Sequence, residues 1–220
     1  MPERIVWEHL GRCGYARALA HQDDCWRARR AGGPDRALTV EHPPTITFGR
    51  RATQEDRRVD PARLAALGIA CIATDRGGHA TYHGPGQLVV YPILDLRARG
   101  LGVRAFVFAL EAVMIEIAAT LGVPAWRDAR GHGVWSRTGK LGAVGIRVRQ
   151  GVTTHGLALN VDGDLAPFRL IAPCGVADLA VTSLAREGAA VGGVAALVPA
   201  AVTACERWLG ADAVPFAEAV

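Results

Sequence analysis

The hydrophobic pattern along the chain alternates between the periods of helices and strands. From Tyr15 to Arg29, Tyr15, Ala18, Leu19, Gln22 and Trp26 recur at helical spacing, and Gly32-Gly33-Pro34 closes the segment. Leu38 to His42 and Thr45 to Phe48 read as strands broken by Pro43-Pro44, and Pro61 to Leu67 as a short helix with proline in its first turn and Gly68 at its end. The strongest helix is Val103 to Leu121, where Phe106, Leu110, Val113, Ile117 and Leu121 share a face and Gly122 and Pro124 stop it. Strand patterns follow at Gly133 to Ser136, Leu141 to Arg149 and Val152 to Val161, with a turn at Thr138-Gly139. In the second of these Val144, Ile146 and Val148 face one way, and Arg147 and Arg149 the other. A last helix runs from about Val198 to Leu209, after a Gly/Ala-rich stretch.

Hairpin-length connections outnumber helical crossovers. This predicts an α+β fold with a mixed, mostly antiparallel sheet flanked by helices. With 220 residues, 50% hydrophobic and 21% charged, the chain suits a single well-buried domain over 1-220, with room for a small subdomain from about residue 165, where Pro167 and Pro173 flank a boundary. No apolar run is long enough to span a bilayer, and no apolar stretch follows the N-terminus as an export signal would require, so no membrane partner is expected. Five widely spaced cysteines, none in a Cys-x-x-Cys pair, suit neither a disulfide framework nor a zinc site and fit a reducing cytoplasm.

Formal charge is +4, yet the basic residues are scattered without an aromatic-interleaved stripe, which argues against nucleic acid. Of the 25 basic residues, Lys140 is the only lysine. In a chain that otherwise uses arginine, a lone lysine suggests a position where the charge must be able to leave, since an ammonium can shed its proton near neutral pH and a guanidinium cannot.

Three stretches carry candidate chemistry. Arg76 to Gly86 packs four glycines and two histidines into a connection between the apolar runs Gly68 to Thr74 and Gln87 to Leu94. Such glycines let backbone N–H groups approach a ligand closely. Thr154 to Asn160 sets a His-Gly pair inside a strand pattern, the mark of a bulge or a close backbone approach. Ala172-Pro-Cys-Gly175 presents Cys174 in a loop, whereas Cys13, Cys25, Cys71 and Cys205 lie on or beside regular patterns and read as core. A nucleophilic thiol needs a base or cation beside it, and the candidates are Lys140, His83 and His155. Metal binding by His79, His83 and His155 is disfavoured, because no helical His-x-x-x-His or carboxylate set accompanies them.

Together, Arg-Gly-Gly-His-Ala-Thr-Tyr-His-Gly-Pro-Gly-Gln (76–87), Gly-Lys-Leu-Gly-Ala-Val-Gly-Ile-Arg (139–147), His-Gly-Leu-Ala-Leu-Asn (155–160) and Pro-Cys-Gly (173–175) resemble the lipoyl(octanoyl) transferase family. Glu41-His-Pro-Pro and Phe48-Gly-Arg-Arg extend the likeness upstream. The resemblance implies the fold of the biotin and lipoate protein ligases. It also implies transfer of octanoyl, without a cofactor, from acyl carrier protein to a lysine of a lipoyl domain, in a 2-oxo acid dehydrogenase or the glycine-cleavage H protein. In that family an acyl-cysteine, here Cys174, works with a lysine, here Lys140. The pocket would be built from Arg76, Gly77, Gly78, His79, Ala80, Thr81, Tyr82 and His83, from Ala143, Val144 and Gly145, and from Gly156, Leu157 and Ala158. Backbone amides near Gly77-Gly78 or Gly145 are the candidate donors to an oxyanion. Two rival readings are an ATP-dependent lipoate or biotin ligase and a non-catalytic acyl-carrier-binding protein.

Overall fold

A computed structural model describes residues 4–172 and 179–210. Among the described residues the strands form two sheets. The larger contains β1 (Val6–Arg12), β2 (Arg36–Glu41), β6 (Gln87–Ile93), β7 (Trp126–Asp128), β8 (Gly131–Trp135), β9 (Lys140–Arg149) and β10 (Val152–Asn160) in the order β1-β2-β6-β10-β9-β8-β7. Only β1 and β2 run parallel there; the other neighbours are antiparallel. The smaller sheet places β3 (Thr45–Phe48) between β4 (Ala70–Ala73), its parallel neighbour, and β5 (Ala80–His83), its antiparallel one. The fold is thus α+β with a mixed, mostly antiparallel sheet.

The central strand β6 is buried along its whole length, which is why Gln87 to Ile93 reads as an apolar run rather than an alternation. Leu88 and Val90 enter the core beneath helices α3 (Val103–Thr120) and α4 (Val194–Leu209), while Val89, Tyr91 and Ile93 enter the core beneath α1 (Tyr15–Arg30). A third cluster joins the smaller sheet to α2 (Pro61–Ala66) through Ile46, Leu64 and Tyr82. Residues after Leu165 add Leu184, Val194, Leu197 and Cys205 to the α3 core.

The structure departs from the sequence reading at four places. Arg76 to Gly86 is more than a connection: Ala80–His83 forms β5, paired with β3 residues 35 or so positions upstream. Cys71 is exposed rather than core, because β4 is an edge strand with an open face. Helix α4 begins at Val194, ahead of Pro199, whose missing N–H costs a single bond in the second turn. The strands β1 and β7 had no clear pattern in the sequence; neither buries a side chain fully.

Candidate active site

The strands β9 and β10 pair Ala143 with Ala158 and Gly145 with Gly156, so two of the glycine motifs lie side by side. The third is fastened against them, since the Gly77 N–H donates to the Ile146 carbonyl at 2.9 Å. Between them opens a cleft with about 560 Å³ of empty space, mouth included. Thirteen of the fourteen residues proposed for the pocket line it. The exception is Tyr82, whose ring packs edge-on against Phe168 in the core of the smaller sheet. Gly156 cannot be otherwise: a Cβ there would lie 2.1 Å from the Val90 carbonyl oxygen and 2.8 Å from Pro92.

Arg76 bolts the glycine stretch to the smaller sheet. Its Nη2 donates to the carbonyl and hydroxyl of Thr47 at 2.7 and 2.9 Å, and its Nη1 to the Gly77 carbonyl at 3.0 Å. Lys140, the first residue of β9, is 5% exposed at the cleft wall. Its Nζ donates to the His132 carbonyl at 2.9 Å and lies 4.6 Å from the centroid of the buried Trp135 ring. Its own N–H and C=O bond to the Ala180 carbonyl and the Thr182 N–H, so the chain just beyond Leu179 runs beside it. Cys174 falls within residues 173–178, outside the described residues.

The inner wall contains groups that the motifs did not single out, Tyr15 from α1 and Val89 and Tyr91 from β6, and the exposed His132 from β8 lines the cleft as well. In the sequence Tyr15, Val89 and Tyr91 look like ordinary core positions, and only the meeting of α1 with β6 shows otherwise. His155 also lines the cleft, with a positive φ of 59° inside β10. Its N–H donates to Gln22 Oε1 at 2.7 Å, and its Nε2 lies 2.7 Å from Asp75 Oδ1.

Burial holds several of the histidines and tyrosines in and behind this wall in their neutral form. Burial, reinforced by His42 nearby, pushes His83 down to about 3 against the pull of its bond to Gln87. Gln87 Nε2 donates to the Tyr82 carbonyl and Asn160 Oδ1, which leaves its Oε1 to accept from His83 Nδ1 at 2.7 Å. Neutral His83 is therefore no cation for a thiolate. Burial likewise lowers His42 and, against the pull of Asp75, His155. It raises Tyr15 to about 12 and Tyr91 well above its ordinary value. His42 bridges the Cys13 carbonyl and the Tyr91 hydroxyl at 2.7 and 2.8 Å, so part of this inner wall is satisfied internally. The part of the wall formed by these neutral side chains can face an apolar chain without a charge to desolvate.

Among the described residues one His/Cys/Asp/Glu group, Glu8, His21 and Cys25, lies close enough to share an ion. It is remote from the cleft in the fold, and the Arg36 guanidinium already pairs with Glu8 where a cation would sit.

The family model "Lipoyl protein ligase A/B catalytic domain" matches residues 14–206. The chain belongs to this family. Within it, an octanoyltransferase of Chloroflexus aggregans is 48% identical over 183 residues, covering 81% of this chain and 83% of that protein. Octanoyltransferase LIP2, mitochondrial, of Arabidopsis thaliana is 44% identical over 184 residues, covering 83% and 78%. A bipartite lipoate protein ligase from Thermoplasma acidophilum, described with its E2 lipoyl domain, shares the fold with a TM-score of 0.75 at 18% identity, covering 98% of this chain and 87% of that one. That likeness shows the fold, which a lipoate protein ligase shares, whereas both relatives at 44–48% identity are octanoyltransferases.

Proposed function

We propose that the protein is an octanoyltransferase that moves octanoyl from acyl carrier protein to a lysine of lipoyl-domain proteins through a thioester on Cys174. The observation that carries this reading is Lys140: the chain's sole lysine is buried at the wall of a glycine-lined cleft, its Nζ aimed by a carbonyl and a ring face. Its backbone bonds to Ala180, six residues beyond Cys174 in the sequence, support placing the two side chains in one site.

In the first half-reaction the Cys174 thiol gives its proton to the Lys140 amine, and the sulfur attacks the thioester carbonyl carbon of the carrier. The tetrahedral intermediate collapses, breaking the bond to the carrier's thiol sulfur, which takes the proton back from Lys140. In the second, the acceptor amine attacks the acyl-cysteine, Lys140 removes its surplus proton, and that proton returns to the departing Cys174 sulfur. Thioester exchange is nearly neutral in free energy, whereas amide formation is downhill and draws the cycle forward. The glycine amides near Gly77-Gly78 and Gly145 are available for the oxyanion. Val89, Val144 and Leu157 provide apolar lining for the acyl chain. The cysteine reading also favours a reducing compartment such as the cytoplasm, where Cys174 stays a thiol.

Incubation with octanoyl-carrier protein, without ATP, followed by intact mass measurement tests the proposal. One octanoyl group should appear, be removed by hydroxylamine, and be absent in Cys174→Ala. Acylation of the Ala variant at the wild-type rate, or turnover only with ATP and free acid, overturns it.

A further inference from the structure

The strand β8 opens with Gly131-His132-Gly133, whose glycines have φ of 139° and 120°. Backbone between two such glycines does not fix its own peptide orientation, because neither has a Cβ to restrict rotation. Yet one peptide here has a defined task, since the His132 carbonyl accepts the Lys140 Nζ bond at 2.9 Å. The other end of that same peptide unit, the Gly133 N–H, donates to Glu111 Oε1 at 2.9 Å.

Glu111 sits on the buried face of the apolar helix α3, only 6% exposed. A carboxylate there is costly unless bonded, and an aliphatic residue would satisfy the helix as well. Its second oxygen accepts from Arg127 Nε at 3.1 Å. Arg127 is in turn stacked on the Phe108 ring and donates to the Phe108 carbonyl. Gly133 has no freedom to substitute: a Cβ would lie 2.3 Å from the Gly142 carbonyl oxygen and 3.0 Å from Lys140 Cε.

We propose that Glu111 is a positioning residue for Lys140, clamping the His132–Gly133 peptide so that its carbonyl stays aimed at the reacting amine. The inference rests on the proton-carrying role of Lys140 proposed above. Glu111 acts through the His132–Gly133 peptide, and its Oε1 also lies 3.5 Å from His132 Nδ1. Without the clamp the peptide can turn, and Nζ loses its bond to the His132 carbonyl.

The test compares Glu111→Leu and Glu111→Gln, each alone and combined with Lys140→Ala, in steady-state transfer from octanoyl-carrier protein. Leu removes the acceptor while suiting the apolar face, and Glu111→Met serves if Leu does not fold. Glu111→Leu should lower kcat about 10- to 100-fold with KM unchanged, the scale of a reacting group misplaced by about 1 Å. Gln, which keeps an oxygen of the same reach, should restore kcat to within a few fold of wild type. In the Lys140→Ala background Glu111→Leu should cost no further activity, because the two act as one unit. A rise in KM instead of a fall in kcat, no recovery with Gln, or an undiminished loss in the Lys140→Ala background overturns the inference. Wild-type activity of Lys140→Ala alone would instead refute the role of Lys140, and this inference with it.

Discussion

Replacing His83 by Gln and unfolding both proteins in urea from pH 7.5 to 4.5 probes the uncharged inner wall of the cleft. His83 falls from its ordinary 6.5 to about 3 in the fold, chiefly through burial. A group lowered in this way favours the folded state above 6.5, and that stability is lost as the pH falls, because the unfolded chain takes up a proton that the folded one refuses. From those two values the loss is about 1.4 kcal/mol at pH 5.5 and about 2.7 kcal/mol at pH 4.5, relative to mildly alkaline solution. His42 and His155 are lowered too, with the same sign, so wild type should fall more steeply than His83 alone requires. Asp75, Glu8 and Glu187 are also lowered, but their contributions fade only below the ordinary carboxylate range, so the comparison is read above pH 5. Gln keeps a donor for Gln87 but does not titrate. Between pH 7.5 and 5.5 the variant should therefore lose about 1.4 kcal/mol less than wild type. Parallel stability curves for the two proteins would refute the claim that His83 is held neutral.

Three further outcomes are expected. Lys140→Arg should fold but lose at least about a hundredfold in both half-reactions followed by mass, since a guanidinium does not shed a proton in the working range; activity within a few fold of wild type would show that charge alone suffices. Gly156→Ala should cost about 2 kcal/mol and several degrees in Tm by pushing β10 from β6, as thermal unfolding would show; an unchanged Tm would mean the strands yield freely. Arg50 and Arg51 are exposed on a groove that continues from Gly77 and Gly78, so their joint replacement by Glu should raise KM for an acidic carrier donor at low salt and leave octanoyl-pantetheine unaffected; equal effects on the two donors would exclude electrostatic docking there.

Long elements with one buried face were legible in the sequence. Helix α3 runs from Val103, as its spacing requires, and β6 declares itself by an unbroken apolar run. Short elements whose partners lie far away were not. The four residues of β5 are hidden between glycines and become a strand only because β3 offers its edge. Cys71 looked buried because Ile69 and Ile72 surround it, but a strand at an edge need not bury its side chains. The glycine motifs marked the cleft because close backbone approach leaves a compositional trace. Tyr82 was named with the segment Arg76 to His83 that the resemblance implied, and its ring packs against Phe168. The roles proposed for Cys174 and Lys140 came from likeness to a family, with two independent signs, the Pro-Cys-Gly loop and the loneliness of Lys140. Glu111 left no sign at all: a single glutamate in a helix is unremarkable until the Gly133 amide, 22 residues on, is seen to point at it.

The burial of the only lysine has a consequence for self-protection. An acyl thioester of the kind proposed for Cys174 would be a hazard to the protein that holds it, since any exposed lysine nearby, on itself or on a second copy, competes with the intended acceptor. Here 24 of the 25 basic side chains are arginines, whose guanidinium groups stay protonated and are poor nucleophiles, and the remaining Lys140 is 95% withdrawn from solvent. The surface can therefore carry the net positive charge of the chain, formally +4, and attract acidic partners while exposing no lysine amine to the acyl group of a second copy.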